Sequence, residues 1–246
     1  MPATAVHQAE ALPLSHPCSG CDVRSTALCR VLDGDDLAAI RRFGWALHLR
    51  AGQPLFHEGD PATRVFTLSR GVLKLYKLLP DGRRQVTGFM FPGDFLGIAV
   101  DEEHAFTAEA VADSQLCWFP RVRFGEFAEA HGHLERELYR IAAHELAAAQ
   151  AQMVLLGRKT APERLASFFL LLIERAEKSA GQPARMIDLA MSRIDIADYL
   201  GLTKETVSRV LATLKSKRVV RLDALDRVEV LDRRSLAAIA EGHQGA

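Results

Sequence analysis

The chain has 246 residues, of which 48% are apolar and 25% charged, with equal numbers of basic and acidic side chains. This is an ordinary globular composition, long enough for one large or two modest domains with buried cores. The opening MPATAVHQAEALPLSHP lacks a basic segment followed by an apolar run, and the longest apolar run, LASFFLLLI, is far too short to span a bilayer. Neither a secretory signal nor a membrane partner is therefore expected. The expected location is cytoplasmic, where thiols stay reduced. The zero net charge hides an asymmetry: residues 158–246 hold 16 Lys and Arg against 12 Asp and Glu, and the preceding residues carry the opposite excess. A basic C-terminal part fits a nucleic-acid-binding module.

In chain order, residues 1–17 show no periodicity and read as a flexible arm. The stretch CSGCDVRSTALC (18–29) then holds three of the four cysteines, and Cys117 follows 88 positions after Cys29. In a reducing compartment such a cluster points to metal or redox chemistry rather than disulfides. DGDDLAAIRRFG (33–44) reads as a short helix capped by Asp33 or Asp35 and ended by Gly44. From about 45 to 120, alternating runs such as VFTLSRGVLKLYKLL are broken by AGQ, EGD, PDGR and FPGD, which indicates a compact antiparallel roll or barrel. A stretch without Gly or Pro, His133 to Leu156, predicts a helix over about 30 Å long. Its seam of Ala143, Ala147, Gln150 and Val154, spaced four and three apart, reads as half of a coiled coil and so predicts a homodimer. TAPERLASFFLLLIERA (160–176) is a further helix, MIDLAM (186–191) a strand, VVRLDALDRVEVL (219–231) a hairpin, and RRSLAAIA a closing helix.

The most specific segment is SRIDIADYLGLTKETVSRVLATLKSKRVV (192–220). Ser192 can cap one helix and Thr203 the next, with Gly201 in the turn between them. Ile194, Ile196, Ala197 and Leu200 are expected to pack against Val207, Val210, Leu211 and Leu214. This is the helix-turn-helix pattern, with the following hairpin as a wing. Glu205, Ser208 and Arg209 share one face at the start of the second helix, the end that enters the major groove. Arg can grip guanine O6 and N7, and Glu can accept from cytosine N4. Lys204, Lys215, Lys217 and Arg218 are placed for phosphates. The plainer alternative is a surface ion pair between Glu205 and Arg209. Ser192, Thr203 and Lys204 are additional candidate contacts. No nucleophile–base pair, phosphate-cradling Gly-rich loop or HExxH is found, so no enzyme is expected.

On GDFLG (93–97), the long helix, RKTAPERLASFFLLL (158–172) and LGLTKETVSRVL (201–212), the chain resembles the CRP/FNR family of bacterial transcription regulators. The resemblance implies an α+β fold: an N-terminal cupin-like β-roll sensor, a long dimerisation helix and a C-terminal winged helix-turn-helix. The corresponding division is an arm over 1–32, a roll over 33–131, the dimerisation helix over 132–158 and the DNA-binding domain over 159–246. Within the family E-x-x-S-R, here Glu205, Ser208 and Arg209, marks the FNR-like branch, whose operators resemble TTGAT in inverted repeat. The cAMP-binding branch needs an Arg-Ser/Thr-Ala stretch, whereas GDFLGIAVDEEHAFTAEAVADS contains no arginine and carries Asp101, Glu102 and Glu103. Cyclic nucleotide is therefore not the expected signal.

FNR-like oxygen sensors hold a 4Fe–4S cluster on three N-terminal cysteines and one from the roll, a layout that Cys18, Cys21, Cys29 and Cys117 match. Four thiolates are the usual ligand set for such a cluster. The spacing C-x2-C-x7-C is two residues longer in its second gap than in the best-known members and resembles FixK/FnrN-type members. The resemblance implies an oxygen-responsive regulator of anaerobic and microaerobic genes that dimerises while its cluster is intact, with double-stranded DNA and RNA polymerase as partners. The rival reading is the same fold without a cluster, signalling through zinc on the same thiolates with His16 as an alternate ligand, through thiol oxidation, or through haem. His131, His133 and His144, on or near the long helix, read as surface residues. Gln150 stands where the family usually has an acidic seam residue.

Overall fold

A computed structural model describes residues 21–97, 102–224 and 226–243. Cys18, His16, Asp101 and the arm expected over 1–17 lie outside the described residues. A 3-10 turn (Leu28–Val31) precedes helix α1 (Gly34–Arg41). Asp33 caps α1 by accepting from the Asp36 N–H at 2.9 Å.

Eight strands follow: β1 (Trp45–Leu49), β2 (Pro54–Phe56), β3 (Arg64–Arg70), β4 (Leu73–Leu78), β5 (Arg84–Met90), β6 (Phe95–Leu96), β7 (Thr107–Ala110) and β8 (Ser114–Pro120). They form two antiparallel sheets, ordered β1-β8-β3-β6 and β2-β7-β4-β5. The period-two alternation of each strand sorts its side chains. On β8, Leu116 enters the roll interior with Phe56, Leu68, Leu73 and Met90, while Cys117 and Phe119 face outward into a second cluster with Leu28, Leu37, Ile40 and Phe124.

Helix α2 (Arg121–Ala130) closes the roll. Its sequence, RVRFGEFAEA, does not announce a helix, having a mid-helix glycine and no strong apolar stripe. Burial of Phe124 and Ala128, four apart, holds it instead. The long helix α3 (Gly132–Arg158) is about 40 Å long. Its beginning packs on its own roll through the buried Leu134 and Glu137, its side chains are exposed from Ala143 to Ala151, and Gln152, Leu155 and Leu156 are half-buried again near its end.

Helix α4 (Ala161–Ala180) starts at a Thr160/Glu163 capping box with Pro162 in its first turn. Strand β9 (Met186–Asp188) is shorter than the expected 186–191, because Leu189 and Met191 enter the core beyond its end. Helices α5 (Arg193–Leu200) and α6 (Lys204–Ser216) lead to β10 (Val220–Ala224), β11 (Arg227–Val230) and α7 (Arg233–Ala240). The last sheet runs β10-β11-β9. Among the described residues no helix is long and apolar enough to cross a membrane.

The roll and the C-terminal domain share one apolar core: Val72, Val86 and Phe89 of the roll join Phe168, Leu172, Ile196 and Leu200. A buried ion cluster crosses the same boundary. Lys74 Nζ lies 3.0 Å from Asp195 Oδ1 and 2.8 Å from Glu109 Oε1, and Arg84 reaches Asp195 at 2.9 Å and Asp198 at 2.8 Å. The Lys74 and Asp195 side chains are 8% and 9% exposed. Burial pushes the Asp195 carboxyl up, but hydrogen bonds from Ser192 and Lys74 outweigh it and hold the group below its ordinary value.

Asp195→Ala leaves Lys74 buried with one anion fewer. It should lower the unfolding free energy by about 3–5 kcal/mol in a denaturant titration, whereas Lys74→Met with Asp195→Leu should recover most of that loss. The lowered carboxyl fixes the sign with pH. Its contribution is complete above the unfolded-state value of about 3.9 and is withdrawn as the pH falls through the lower folded-state value, so the Asp195→Ala deficit should shrink in acid.

Candidate DNA-reading surface and cysteine pocket

The helix-turn-helix is locally self-consistent. Ser192 Oγ accepts from the Asp195 N–H at 3.1 Å, Asp195 answers by accepting from the Ser192 N–H at 3.2 Å, and Thr203 Oγ1 accepts from the Thr206 N–H at 3.1 Å. Gly201 has φ +60°, the left-handed conformation that ends α5 and turns the chain into α6. Ile196, Ala197 and Leu200 are buried against Val207, Val210, Leu211 and Leu214, as the pattern predicts. Ile194 is not: it is 50% exposed, and Asp195 is buried in its place. The reason is the roll, which meets α5 on that side and supplies Lys74 and Arg84 for the carboxylate.

Glu205, Ser208 and Arg209 are all exposed on the first two turns of α6. Among the described residues the side chains of Glu205 and Arg209 have no ion-pair partner, so the expected alternative of a Glu205–Arg209 pair is not formed. Ser208 Oγ donates to the Lys204 carbonyl at 2.9 Å, which leaves its lone pairs outward. The hydroxyls of Ser192 and Thr203 both serve as caps, and the Ser192 Oγ also donates to Asp195 at 2.7 Å. Lys204 is exposed beside Thr203. Lys215, Lys217 and Arg218 extend the cationic surface to the far end of α6. Arg218 takes φ +56°, a conformation more easily held by Gly or Asn, as the chain leaves α6 for the wing. The arrangement presents one arginine and one carboxylate for base edges, flanked by cations for phosphates.

The cysteine region belongs to the roll and the segment that precedes it. Cys21, Cys29 and Cys117, from a turn, the 3-10 turn and β8, line one largely apolar pocket together with Val23, Ala27, Leu37, Thr67 and Phe119. Thr67 stands opposite Cys117 in the β3–β8 ladder, and its buried Oγ1 has no hydrogen-bond partner among the described residues. An orphaned hydroxyl beside a thiol is a donor available to a bound group. Among the described residues no three His, Cys, Asp or Glu side chains converge as they would around a single metal ion. Cys21, Cys29 and Cys117 share the lining of that pocket without such convergence, and thiols are the donor type that an iron–sulfur group takes. The GDFLG turn supports the cysteine segment from below: Gly93 has φ +99°, and a side chain there would begin 3.1 Å from Thr26 Oγ1.

The cysteine turn is fastened to the long helix by residues that belong to no recognisable motif. Arg30 Nη2 lies 2.9 Å from Glu137 Oε2, and Arg140 pairs with the same carboxylate. Hydrogen bonds from Arg140 and Arg30 hold the Glu137 carboxyl below its ordinary range against the opposing effect of burial. Glu137 and Arg140, three apart, carry a local signal. Arg30 is 107 positions away from Glu137 and carries none. His131 and His133 both turn Nε2 to Asp36 of α1, at 3.0 Å each.

On α3 the expected seam of Ala143, Ala147, Gln150 and Val154 is exposed, and so are Tyr139, Leu146 and Met153. The apolar stripe is therefore broader than the seam and displaced toward those three residues. The roll interior, where the fold could hold a ligand, is filled by Phe56, Phe66, Leu68, Leu73 and Leu116, with His104 stacked on Phe56 at 3.4 Å between ring centres.

Residues 46–131 match the model of the cyclic nucleotide-binding domain, and residues 163–239 match that of the Crp-like helix-turn-helix domain. The chain is 43% identical to the nitrogen fixation regulation protein FixK of Bradyrhizobium diazoefficiens, over 82% of this chain and 85% of that one. It is 36% identical to the transcriptional activator protein FnrL of Cereibacter sphaeroides, over 88% and 89% of the two chains. It is also 35% identical to the transcriptional activator protein anr of Pseudomonas aeruginosa, over 94% and 95%. The solved structure of FixK2 from Bradyrhizobium japonicum superposes with a TM-score of 0.75 at 36% identity, covering 80% of this chain and 96% of the other. With its roll, long helix and winged helix-turn-helix accounted for, the chain belongs to the CRP family of DNA-binding transcription regulators, in the FNR/FixK branch.

Proposed function

We propose that this regulator responds to oxygen, controls anaerobic and microaerobic genes from the cytoplasm, and holds a 4Fe–4S cluster on Cys18, Cys21, Cys29 and Cys117. The observation that carries the reading is that Cys21, Cys29 and Cys117, from three separate elements, line one largely apolar pocket with the unsatisfied Thr67 hydroxyl. Bound there, such a cluster supplies an oxygen-sensitive tether among four thiolates.

The chain's own residues convert that tether into a DNA-binding state. With the cysteines ligated, the 3-10 turn is held against the roll, and Arg30 keeps its bond to Glu137 at the beginning of α3. This fixes the first part of α3. Its exposed stripe of Tyr139, Ala143, Leu146, Ala147, Gln150, Met153 and Val154 is then presented to a second copy. When the thiolates lose their ligand, Arg30 loosens and the balance moves from dimer to monomer. Gln150 places no charge in the seam, so separation rests on the loss of this packing rather than on repulsion. The dimer sets two α6 helices about 34–36 Å apart on a TTGAT-type inverted repeat. There Glu205, Ser208 and Arg209 read base edges, and activation brings in RNA polymerase. No cyclic nucleotide is needed: aromatic and aliphatic side chains fill the roll, and Glu102 and Glu103 would repel a phosphate.

Protein prepared without oxygen is expected to be brown, to carry about four iron atoms per chain, and to shift a TTGAT-type palindrome. Air should bleach it, release the iron and abolish the shift. Iron-free material, or an identical dimer fraction before and after air, would sink the reading, and a single zinc per chain would establish its rival. Glu137→Gln weakens the Arg30 and Arg140 bonds. It should leave the iron content intact while lowering the dimer fraction of oxygen-free protein, measured by sedimentation. Arg209→Ala should relax discrimination at one base pair per half-site by about 1–3 kcal/mol, whereas an equal weakening on every operator variant would show a phosphate contact instead.

A further inference from the structure

An α-helix leaves its last four carbonyls without partners inside the helix. In α5 these belong to Ala197, Asp198, Tyr199 and Leu200. The Ala197 carbonyl is satisfied locally by the N–H groups of Gly201 and Leu202. Each of the other three accepts from a different part of the molecule. Gln85 Nε2 of the roll donates to Asp198 O at 2.7 Å, Gln152 Nε2 of α3 donates to Tyr199 O at 2.8 Å, and Arg164 Nη1 of α4 donates to Leu200 O at 2.8 Å. The sensor, the long helix and the linking helix thus all grip the end of the scaffold helix, immediately before the turn into α6.

Arg164 holds more than one end. Its Nη2 donates to Leu156 O at 2.9 Å and its Nε to Lys159 O at 2.8 Å, and Gly201 O lies 3.4 Å from its Nη1. Leu156 O is itself among the orphaned carbonyls at the end of α3. One planar guanidinium therefore ties the end of the long helix to the end of α5, and its fork fixes direction as well as distance. Gly201 leaves room for it, since a side chain there would begin 3.3 Å from Arg164 Nη1 and 3.3 Å from Leu156 Cδ2.

We propose that Arg164, supported by Gln152 and Gln85, is a positioning residue that sets which half-site spacing the regulator accepts. The inference rests on the dimeric operator-binding reading above. The two copies meet along α3 and each reads DNA with α6, so the angle between α3 and α6 within one chain decides how far apart, and in what rotation, the two recognition helices arrive. One inserted base pair rotates the half-sites by about 35° and separates them by about 3.4 Å. A rigid α3–α5 junction rejects that change, and a loose one follows it.

The test compares full-length wild type, Arg164→Met and Arg164→Lys, prepared without oxygen, on TTGAT-type palindromes with the spacer unchanged or changed by one or two base pairs. The same proteins are titrated on palindromes with single base-pair substitutions. Wild type should lose about tenfold or more on a spacer change. Arg164→Met should bind the unchanged palindrome less tightly and reduce that penalty to under about threefold, while base-pair discrimination stays at the wild-type ratio. Arg164→Lys, which keeps donors but not the fork, should fall between the two. A merely structural role would lower affinity on all sites and leave the spacing ratio where it was. If Arg164→Met does not fold, Gln152→Met, which removes one neighbouring donor, gives the same comparison. A folded variant that keeps both the wild-type base discrimination and the full spacing penalty overturns the proposal. Failure of wild type to bind any palindrome overturns the dimeric reading and takes this inference with it.

Discussion

Asp195 is the residue on which the placement of the DNA-reading module depends. It is one of the few charged side chains in the described residues that is almost fully buried, and it lies at the seam between roll and helix-turn-helix. A carboxylate there is tolerable only with its partners in place: the Ser192 hydroxyl and N–H on its own helix, and Lys74 and Arg84 from the roll. Such an arrangement has little tolerance for sliding, because a shift of about an ångström breaks a charged hydrogen bond in a poorly screened site. The apolar contacts of Phe89 with Phe168 and Tyr199 would permit several packings. The ion cluster selects one.

The orphaned carbonyls of α5 add a second constraint of the same kind. Buried backbone acceptors need donors, and here Gln85, Gln152 and Arg164 come from three different elements, the roll, α3 and α4. Short scaffold helices have few side chains with which to define their own orientation. Satisfying α5 from outside gives an eight-residue helix fixed neighbours on three sides. The recognition helix inherits that placement through the left-handed turn at Gly201.

Much of this fold was legible in the sequence because its signals are local. The caps Ser192 and Thr203, the turn glycine and the inner faces of α5 and α6 follow from spacing alone, as do the alternating strands of the roll and the extent of α3. What could not be read depends on partners far apart in the chain. Ile194 reads as core and Asp195 as surface for an amphipathic helix, and only the roll reverses the pair. Helix α2 is held by Phe124 and Ala128 against the roll rather than by its own propensity. Arg30 meets Glu137 across 107 positions. Arg164 bonds only to carbonyls, which every residue possesses, so no pattern of side chains announces it. The exposed stripe on α3 is wider than the seam of Ala143, Ala147, Gln150 and Val154 because the geometry of a lone helix leaves Tyr139, Leu146 and Met153 on the same open side.

The two ends of the long helix are treated differently by their surroundings. Near its start, Glu137 is gripped by Arg30 from the cysteine turn, so under the proposed function this is the end that registers whether that turn is in place. Near its finish, Gln152 and the Leu156 carbonyl are bonded to α5 and to Arg164, so this end is fixed to the DNA-reading module. Between them lies the exposed apolar stripe, which has no partner among the described residues. A helix of about 40 Å is stiff along its axis, and along its middle that stripe faces water. A disturbance at Glu137 therefore need not travel down the helix as a bend. It is enough that the disturbance alters how well the stripe is presented to a second copy. The rigid finish then carries whatever pairing results into the separation of the two α6 helices. Sensing and reading can thus be coupled through association alone, with each domain keeping its own packing intact.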